Sequence, residues 1–386
     1  MIRNKSYLKF SSFYFFYFSC LGVFLPFWPL YLHYKNFSAY EIGIISGTMI
    51  GTKIIAPNIW GWISDLTGLR HKVIQFGTFF CFIIYIFVSI ASNFTEIVIL
   101  IFFFSFFWNA ALPQFEALTM NALGSLYNQY SQIRLWGSLG FIVSVIILSI
   151  FTSALGIHIV PYFILFFLFL TWISTLYIEK LNINFESSNN SLMSIVLKPT
   201  VFGILISCFL MQLSHGPFYA FFAIYLSENN YTTNSIGLIW SLGIIAEILI
   251  FLKISSWIKK YGLKNLFILS FLFASIRWML ISFFPDIILI IVIATIFHAV
   301  TYGMYHAVSI SLIHEYFTDE YQGRGQALYS SVSFGLGGSI GSFYSGYFWE
   351  KLGGDIVFLY ASLFAFLGFI VSFILVKSYN RLGKIS

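Results

Sequence analysis

Apolar runs long enough to form membrane helices recur twelve times along the chain, near residues 9–33, 40–64, 71–92, 96–122, 130–152, 157–178, 199–227, 233–256, 263–283, 286–315, 322–349 and 354–377. A helix needs about 20 mostly apolar residues to cross the hydrocarbon layer. The pattern therefore predicts an all-α membrane protein with twelve transmembrane helices. The one long polar connection covers 179–198 and includes the Ser/Asn-rich stretch from Glu186 to Ser191. It divides a first block of six runs, 1–178, from a second, 199–386. The apolar start follows Arg3, Lys5 and Lys9. It is too long for a secretory leader and lacks a small-residue cleavage pattern, so it is expected to be retained as the first helix.

The two blocks match each other at an offset of 194 residues. Tyr31-Leu32, Asn36 and Ile42-Gly43 fall on Tyr225-Leu226, Asn230 and Ile236-Gly237. Gly22, Phe24 and Phe27 fall on Gly216, Phe218 and Phe221, and the basic turn Gly68-Leu69-Arg70 falls on Gly262-Leu263-Lys264. At an offset of 193, Ser138 and Phe141 meet Ser331 and Phe334. A duplication of about half an apolar chain is a signature of transporters whose substrate site lies between two repeats. The expected architecture is two pseudo-symmetric six-helix bundles.

Charge sharpens this picture. Only 9% of the residues are charged and 59% are hydrophobic, against about 25% charged in soluble domains. Of the 20 Lys and Arg, fourteen fall in loops, tails or span ends on one side when both termini are cytoplasmic; Lys35 and Lys351 fall on the other side. Cytoplasmic loops are enriched in Lys and Arg, which sets that orientation in a bacterial inner membrane. The formal charge of +6 is then topology, and no basic, aromatic-interleaved loop suits a nucleic acid. Cys20, Cys81 and Cys208 lie in separate spans at unrelated spacings and suggest neither disulfides nor a metal site. The 48 Phe read as lipid-facing and packing residues.

Between the second and third runs stands Gly61-Trp62-Ile63-Ser64-Asp65-Leu66-Thr67-Gly68-Leu69-Arg70-His71-Lys72. This resembles the G-x-x-x-D-x-x-G-x-R/K loop of the major facilitator superfamily. The resemblance implies the major facilitator fold and a conformational latch made by Gly61, Asp65, Gly68 and Arg70. Physically, Gly61 would allow close helix approach, Gly68 a tight turn, and the acid would interact with a helix terminus; a plain positive-inside turn is the alternative. The second-half copy has Lys259 where Asp65 stands. Within the superfamily the chain resembles the lactose permeases and, more closely, the phenylpropionate permease group. The densest stretches are Phe24–Trp28, Arg134–Ser138, Ser214–Tyr219, Trp240–Glu247 and Arg277-Trp278.

Ionisable groups inside a span are costly and default to function. Glu116 and Arg134 each lie nine residues from a turn centred near Ser125. At about 1.5 Å per residue on antiparallel helices they reach the same depth. The resemblance to the lactose permease implies that this pair helps bind substrate; a buried pair that only fixes packing is the alternative. Glu247, Arg277 and His298 fall on three successive spans near mid-depth. A carboxylate that pairs with and parts from an arginine can take up and release a proton, and imidazole changes charge near neutral pH, so Glu116, Glu247, Arg277 and His298 are the candidate proton-coupling residues. Tyr302 and Tyr305 follow His298 at i+4 and i+7 and are expected on its face. Where the lactose permease keeps a coupling glutamate, this chain has Thr301, so that site does not carry over. His306 stands as a secondary histidine.

Lys53 sits in mid-span. Pairing Glu116 with Arg134 and Glu247 with Arg277, while Lys253 snorkels to the cytoplasmic edge, makes Lys53 a net positive charge. Amid Phe, Trp and Tyr this suits an aromatic carboxylate, the substrate class that the phenylpropionate resemblance implies. A structural lysine bonded to backbone or water is the equal alternative. Lys53, Glu116, Arg134, His215, Tyr302 and Tyr305 are the candidate substrate-binding residues. Pro26, Pro29, Pro57, Pro113 and Pro217 are expected to kink cavity-lining spans. The glycines of the eleventh run, from Gly335 to Gly346, read as close helix packing, since no phosphate-loop Lys-Ser/Thr follows them.

The expected function is secondary active transport of a small organic anion with protons by alternating access. A proton-coupled sugar or nucleoside carrier is the alternative. No enzyme motif, metal cluster or cofactor signature occurs. A membrane sensor on the same scaffold would be expected to add a soluble output domain, whereas the chain ends about nine residues after its last run. The expected partners are a small-molecule substrate, protons and the lipid bilayer, with the protein acting as a monomer.

Overall fold

The computed structural model describes residues 4–123, 129–178, 192–318 and 321–377. The turn at Ser125, most of the 179–198 connection, and Arg3, Lys180, Arg381 and Lys384 lie outside the described residues. Among the described residues all regular structure is helical. The helices are α1 (Asn4–Tyr34), α2 (Ala39–Gly51), α3 (Ala56–Thr67), α4 (Arg70–Ile90), α5 (Phe94–Leu123), α6 (Tyr130–Leu155), α7 (Val160–Leu176), α8 (Met193–Val196), α9 (Pro199–Glu228), α10 (Thr233–Tyr261), α11 (Leu263–Phe283), α12 (Ile288–Ile296), α13 (Tyr305–Tyr316), α14 (Gln322–Ser330) and α15 (Gly338–Leu375).

Joined across short irregular turns, these make eleven helical segments long and apolar enough to cross a membrane among the described residues. The last, Gln322–Leu375, has 54 residues. Straight, it would reach about 80 Å against a hydrocarbon layer of about 30 Å. It does not run straight: Gly353, at φ 85° and ψ 162°, breaks the helix between the eleventh and twelfth apolar runs. Divided at Gly353, the described residues hold twelve apolar helical segments. Pro57 is the second residue of α3, just after the 3₁₀ turn Thr52–Ile54 that interrupts the second apolar run. Pro26, Pro29, Pro113 and Pro217 sit inside uninterrupted helices.

The repeat is written into the corners of the backbone. Asn36 and Asn230 share φ 63° and are the two non-glycine residues with positive φ among those described. Gly156, at φ 95° and ψ 163°, precedes the sixth crossing as Gly353 precedes the twelfth. Helix starts repeat too. Ser38 caps α2 in a capping box with Glu41, and Thr232, 194 residues on, accepts the backbone N–H of Ser235 at 3.2 Å.

Two compact units form. One comprises Met1–Phe185 with Asn230–Ser241, the other Glu186–Asn229 with Leu242–Ser386. The segment Asn230–Ser241, in the second sequence block, groups with the first unit through the first turns of α10. A Cβ on Gly237 would come 2.6 Å from Cβ of Ser149.

Each unit is built on one close helix crossing that glycine permits. In the first unit α1 packs on α6, a Cβ on Gly140 would come 2.2 Å from the Phe15 carbonyl oxygen, and Ser19 Oγ donates to the Gly140 carbonyl at 3.1 Å. In the second unit α9 packs on α15. Pro217 frees the carbonyl of Leu213, and Gly341 covers it at a point where a Cβ would come to 2.7 Å. Gly216 lies opposite, where a Cβ would come 2.1 Å from the Gly341 carbonyl carbon. Ser275 and Ser362 bond across α11 and α15 at 3.0 Å.

Gly140→Ala is expected to destabilise the protein by about 1–3 kcal/mol, because backbone and not a mobile side chain must give way. Gly323→Ala, with nothing within 4 Å of the new methyl, is expected to be neutral or slightly stabilising. Thermal unfolding of the two variants in one detergent checks the contrast.

Candidate functional site

In the first unit the second crossing is broken where Lys53 sits. The α2 helix ends at Gly51, and a 3₁₀ turn carries Thr52, Lys53 and Ile54 before α3 begins. A break in lipid must find partners for the backbone groups it frees. Asn109 on α5 donates to Thr52 Oγ1 at 2.8 Å and to the Met49 carbonyl at 3.4 Å, and Asn58 donates to the Ile54 carbonyl at 3.1 Å. Lys53 is thus held on an irregular turn braced by α5. Asn109 escaped the sequence reading, although a buried Asn in mid-span was the available signal.

Glu116 and Arg134 come into one cluster but not into an ion pair. Tyr130 donates its hydroxyl to Glu116 Oε1 at 3.3 Å. The Arg134 guanidinium carbon lies 3.8 Å from the Phe18 ring centroid and 5.7 Å from that of Tyr14. The sequence pairing is corrected here: the half-buried Arg134 is held by the π faces of α1, an arrangement favourable for a guanidinium, while a tyrosine takes the carboxylate. Gly137 makes this possible, since a Cβ there would stand 2.8 Å from Arg134 Nη1 and 2.7 Å from Phe18. Tyr14, Phe18 and Tyr130 gave no sequence signal against so many other aromatic residues.

At the end of α3, Gly68 adopts φ 65° and donates its N–H to the Ser64 carbonyl. Arg70 Nη2 then reaches Asp65 Oδ1 at 2.6 Å. Arg70 is buried and the Asp65 side chain is 48% exposed. Gly61 differs from expectation. A Cβ there would meet Gln114 Nε2 at 3.6 Å, an ordinary contact, so in this conformation packing does not require a glycine at 61. Beneath the loop Trp60, Ala56, Val73 and Ala110 form a small core, and Trp60 Nε1 donates to the Phe106 carbonyl.

The second unit holds the denser constellation. Arg277 on α11 is fully buried. Its Nη1 donates to Thr301 Oγ1 at 3.1 Å and to His298 Nδ1 at 3.2 Å. Arginine can only donate, so His298 Nδ1 is the acceptor and a neutral His298 keeps its proton on Nε2. That nitrogen faces Glu247 Oε2 at 3.8 Å. His298 therefore stands between the two residues that the sequence reading paired directly. Glu247 fits against Gly303, where a Cβ would come 2.9 Å from its Cγ. The Arg277 guanidinium carbon lies 4.2 Å from the Phe218 ring centroid and 4.3 Å from that of Trp278. Its other two nitrogens, Nε and Nη2, are buried with no hydrogen-bond partner.

His215 on α9 is also fully buried and meets Trp278 edge to face at 4.9 Å. Its Nδ1 donates to the Met211 carbonyl at 2.8 Å, and its Nε2 has no partner.

The expected shared face of His298, Tyr302 and Tyr305 holds only in part. Residues Ala299–Met304 form a π-helical segment, whose wider turn shifts the phase of everything after it. Tyr302 stacks on His298, centroids 5.2 Å apart, and His306 stacks on Tyr302 at 6.0 Å. Tyr305 is turned away: its hydroxyl lies 3.4 Å from the Cys208 carbonyl and 3.2 Å from Ser333 Oγ. His306 occupies the column in its place. A second π-helical segment, Ser331–Gly337, carries Ser333. Neither segment has a sequence signature that periodicity detects. Among the described residues no group of three or more His, Cys, Asp and Glu could hold a metal ion.

Known proteins share this plan. The family model described as MFS_1 like family matches residues 7–360. The probable 3-phenylpropionic acid transporter of Escherichia coli (strain K12) is 23% identical over 90% of this chain and 92% of its own length. The maltose permease of Geobacillus stearothermophilus is 22% identical over 97% of this chain and 96% of its own. Among solved structures, a mutant form of the nucleoside transporter NupG superposes with a TM-score of 0.86, covering 96% of this chain and 99% of that one at 16% identity, a likeness of fold. The match over almost the whole chain, with twelve apolar crossings and the Asp65–Arg70 loop, makes this a multi-pass membrane transporter that belongs to the MFS_1 like family.

Proposed function

We propose that this transporter carries a small organic anion of the aromatic carboxylate type together with protons, by alternating access across the cytoplasmic membrane, as a monomer with both termini inside the cell. The observation that carries the reading is the bare edge of Arg277. Nη1 is occupied by Thr301 and His298, which leaves Nε and Nη2, the two nitrogens of the side-on fork, without partners inside the protein. A guanidinium edge with two parallel N–H groups matches a carboxylate in bidentate fashion. Each unmet buried donor costs about 1–3 kcal/mol, more on a charged group, so a ligand that satisfies both gains what the protein forgoes. Phe218 and Trp278 lie against this guanidinium and Tyr302 stacks on His298, and these rings are the proposed apolar neighbours of the rest of an aromatic acid. The likeness to the 3-phenylpropionic acid transporter points the same way. Glu247 and His298, with Nε2 of the histidine turned to the carboxylate, are the proposed proton-coupling groups. Within the first unit by itself, Glu116, Arg134 and Lys53 are the proposed substrate-binding residues.

A second reading, a neutral sugar or nucleoside as cargo, draws on the similarity to the maltose permease and on the fold likeness to NupG. Its proposed contacts are those of the hydrogen-bonding cluster of Glu116, Tyr130 and Arg134.

Proteoliposomes loaded at a defined pH test the choice. Uptake of radiolabelled 3-phenylpropionate, stimulated by an inward proton gradient, is expected, with maltose and uridine giving none; uptake of a neutral solute alone would replace the anion reading by the second. Arg277→Gln is expected to lower anion uptake at least about a hundredfold, the scale of losing two charge-assisted hydrogen bonds. In the same assay Lys53→Gln is expected to weaken anion uptake, and a neutral-solute carrier would tolerate it. The Asp65–Arg70 pair is half exposed at the carboxylate, and exposed pairs contribute up to about 1 kcal/mol. Asp65→Asn is therefore expected to slow counterflow exchange by up to about fivefold, and unaltered exchange would remove the latch.

A further inference from the structure

The group that carries the proton beside the cargo is a separate question, and the structure offers a candidate other than Glu247 and His298. His215 lies on α9, and Arg277 on α11. The two side chains share Trp278, with His215 at 4.9 Å between ring centroids and the Arg277 guanidinium at 4.3 Å. They also share His298, whose ring centroid is 6.5 Å from that of His215 and whose Nδ1 is bonded to Arg277. Both are fully buried, and each ends in unsatisfied polar atoms: Nε and Nη2 on Arg277, Nε2 on His215.

These loose ends are chemically complementary. A carbonyl oxygen only accepts, so the bond to Met211 fixes the His215 hydrogen on Nδ1. In the neutral ring, Nε2 then bears a lone pair. Arg277 offers two donors and His215 one acceptor. A carboxylate alone satisfies the donors and leaves the acceptor bare. A carboxylate accompanied by one proton satisfies all three: its oxygens take the Arg277 N–H groups, and the proton lies between one oxygen and His215 Nε2.

We propose that the cargo's carboxylate seats on the Nε/Nη2 edge of Arg277 and shares one solvent-derived proton with Nε2 of His215, so that anion and proton are bound at a single site. The inference rests on the anion reading above. His215 is then the member of the proton-coupling cluster that holds the proton while the anion is bound, and the His298–Glu247 pair, through the bond to Nη1, orients Arg277. The ionisable groups nearest His215 are Tyr219 on its own helix and His298, and His298 in turn meets Arg277 on α11, Glu247 on α10 and Tyr302. The π-helical segment Ser331–Gly337 and α15 meet α9 here through Gly337 and Gly341.

Calorimetric titration of the purified full-length protein with 3-phenylpropionate, in buffers of different ionisation enthalpy, counts protons taken up per anion bound. About one proton is expected, with affinity falling about tenfold per pH unit once the free site is deprotonated. His215→Gln and His215→Phe, each checked for folding by thermal unfolding, are expected to bind more weakly, without uptake and without that slope. Binding by the unaltered protein with no proton uptake would overturn the inference while leaving the anion reading intact, and that measurement needs no variant. Uptake that persists in both His215 variants would overturn it equally. Failure of 3-phenylpropionate and of benzoate to bind anywhere between about pH 5 and 8, where histidine titrates, would sink the anion reading itself and the inference with it.

Discussion

A guanidinium enclosed in protein inside a membrane is among the most expensive groups a chain can hold, with a residual cost of several kcal/mol even after relaxation. The second unit is organised around that cost at Arg277. Thr301 and His298 satisfy one end, and Phe218 and Trp278 lie close to it. The Nε/Nη2 edge is left over. A protein that needed Arg277 only for packing would gain by pairing that edge or by replacing the residue with an apolar one. Retaining a buried charge with two idle donors makes sense where a partner arrives and leaves.

That demand propagates outward. Holding His298 with Nδ1 as acceptor and Nε2 toward Glu247 requires α10 to approach closely, and Gly303 leaves the room for it. Placing His215 near Trp278 requires α9 to be seated firmly, and the Gly216–Gly341 crossing fixes it with backbone against backbone. The π-helical segment at Ala299–Met304 brings His298, Tyr302 and His306 into one column. The first unit handles Arg134 differently, laying the guanidinium on Phe18 and giving Glu116 to Tyr130. The first-unit arginine thus rests on aromatic faces, while the fully buried second-unit arginine keeps a bare Nε/Nη2 edge.

Much of the fold was legible in the chain. Twelve apolar runs and the 194-residue offset anticipated the crossings and their corners, because a corner residue with positive φ must be Gly or Asn. Asn36 and Asn230 show this most directly. The site was legible as a set of residues but not as a set of contacts. Depth along a helix can be counted from a turn, which brought Glu116 near Arg134 and Glu247 near Arg277. Rotation about the helix axis is set by local irregularities that leave no periodic trace. The π-helical turn moved Tyr305 off the expected face and moved His306 onto it. The 3₁₀ break at Lys53 was hinted at by Pro57, but its brace, Asn109, was lost among apolar neighbours. Tyr130 and Tyr14 went unnoticed because tyrosine in so aromatic a chain reads as packing.

The most direct test of the central claim is a high-resolution structure of the protein determined with 3-phenylpropionate bound. The carboxylate is expected on Nε and Nη2 of Arg277, with one oxygen within hydrogen-bond reach of His215 Nε2. A ligand lodged elsewhere, with those nitrogens filled by a side chain or a fixed water, would contradict it.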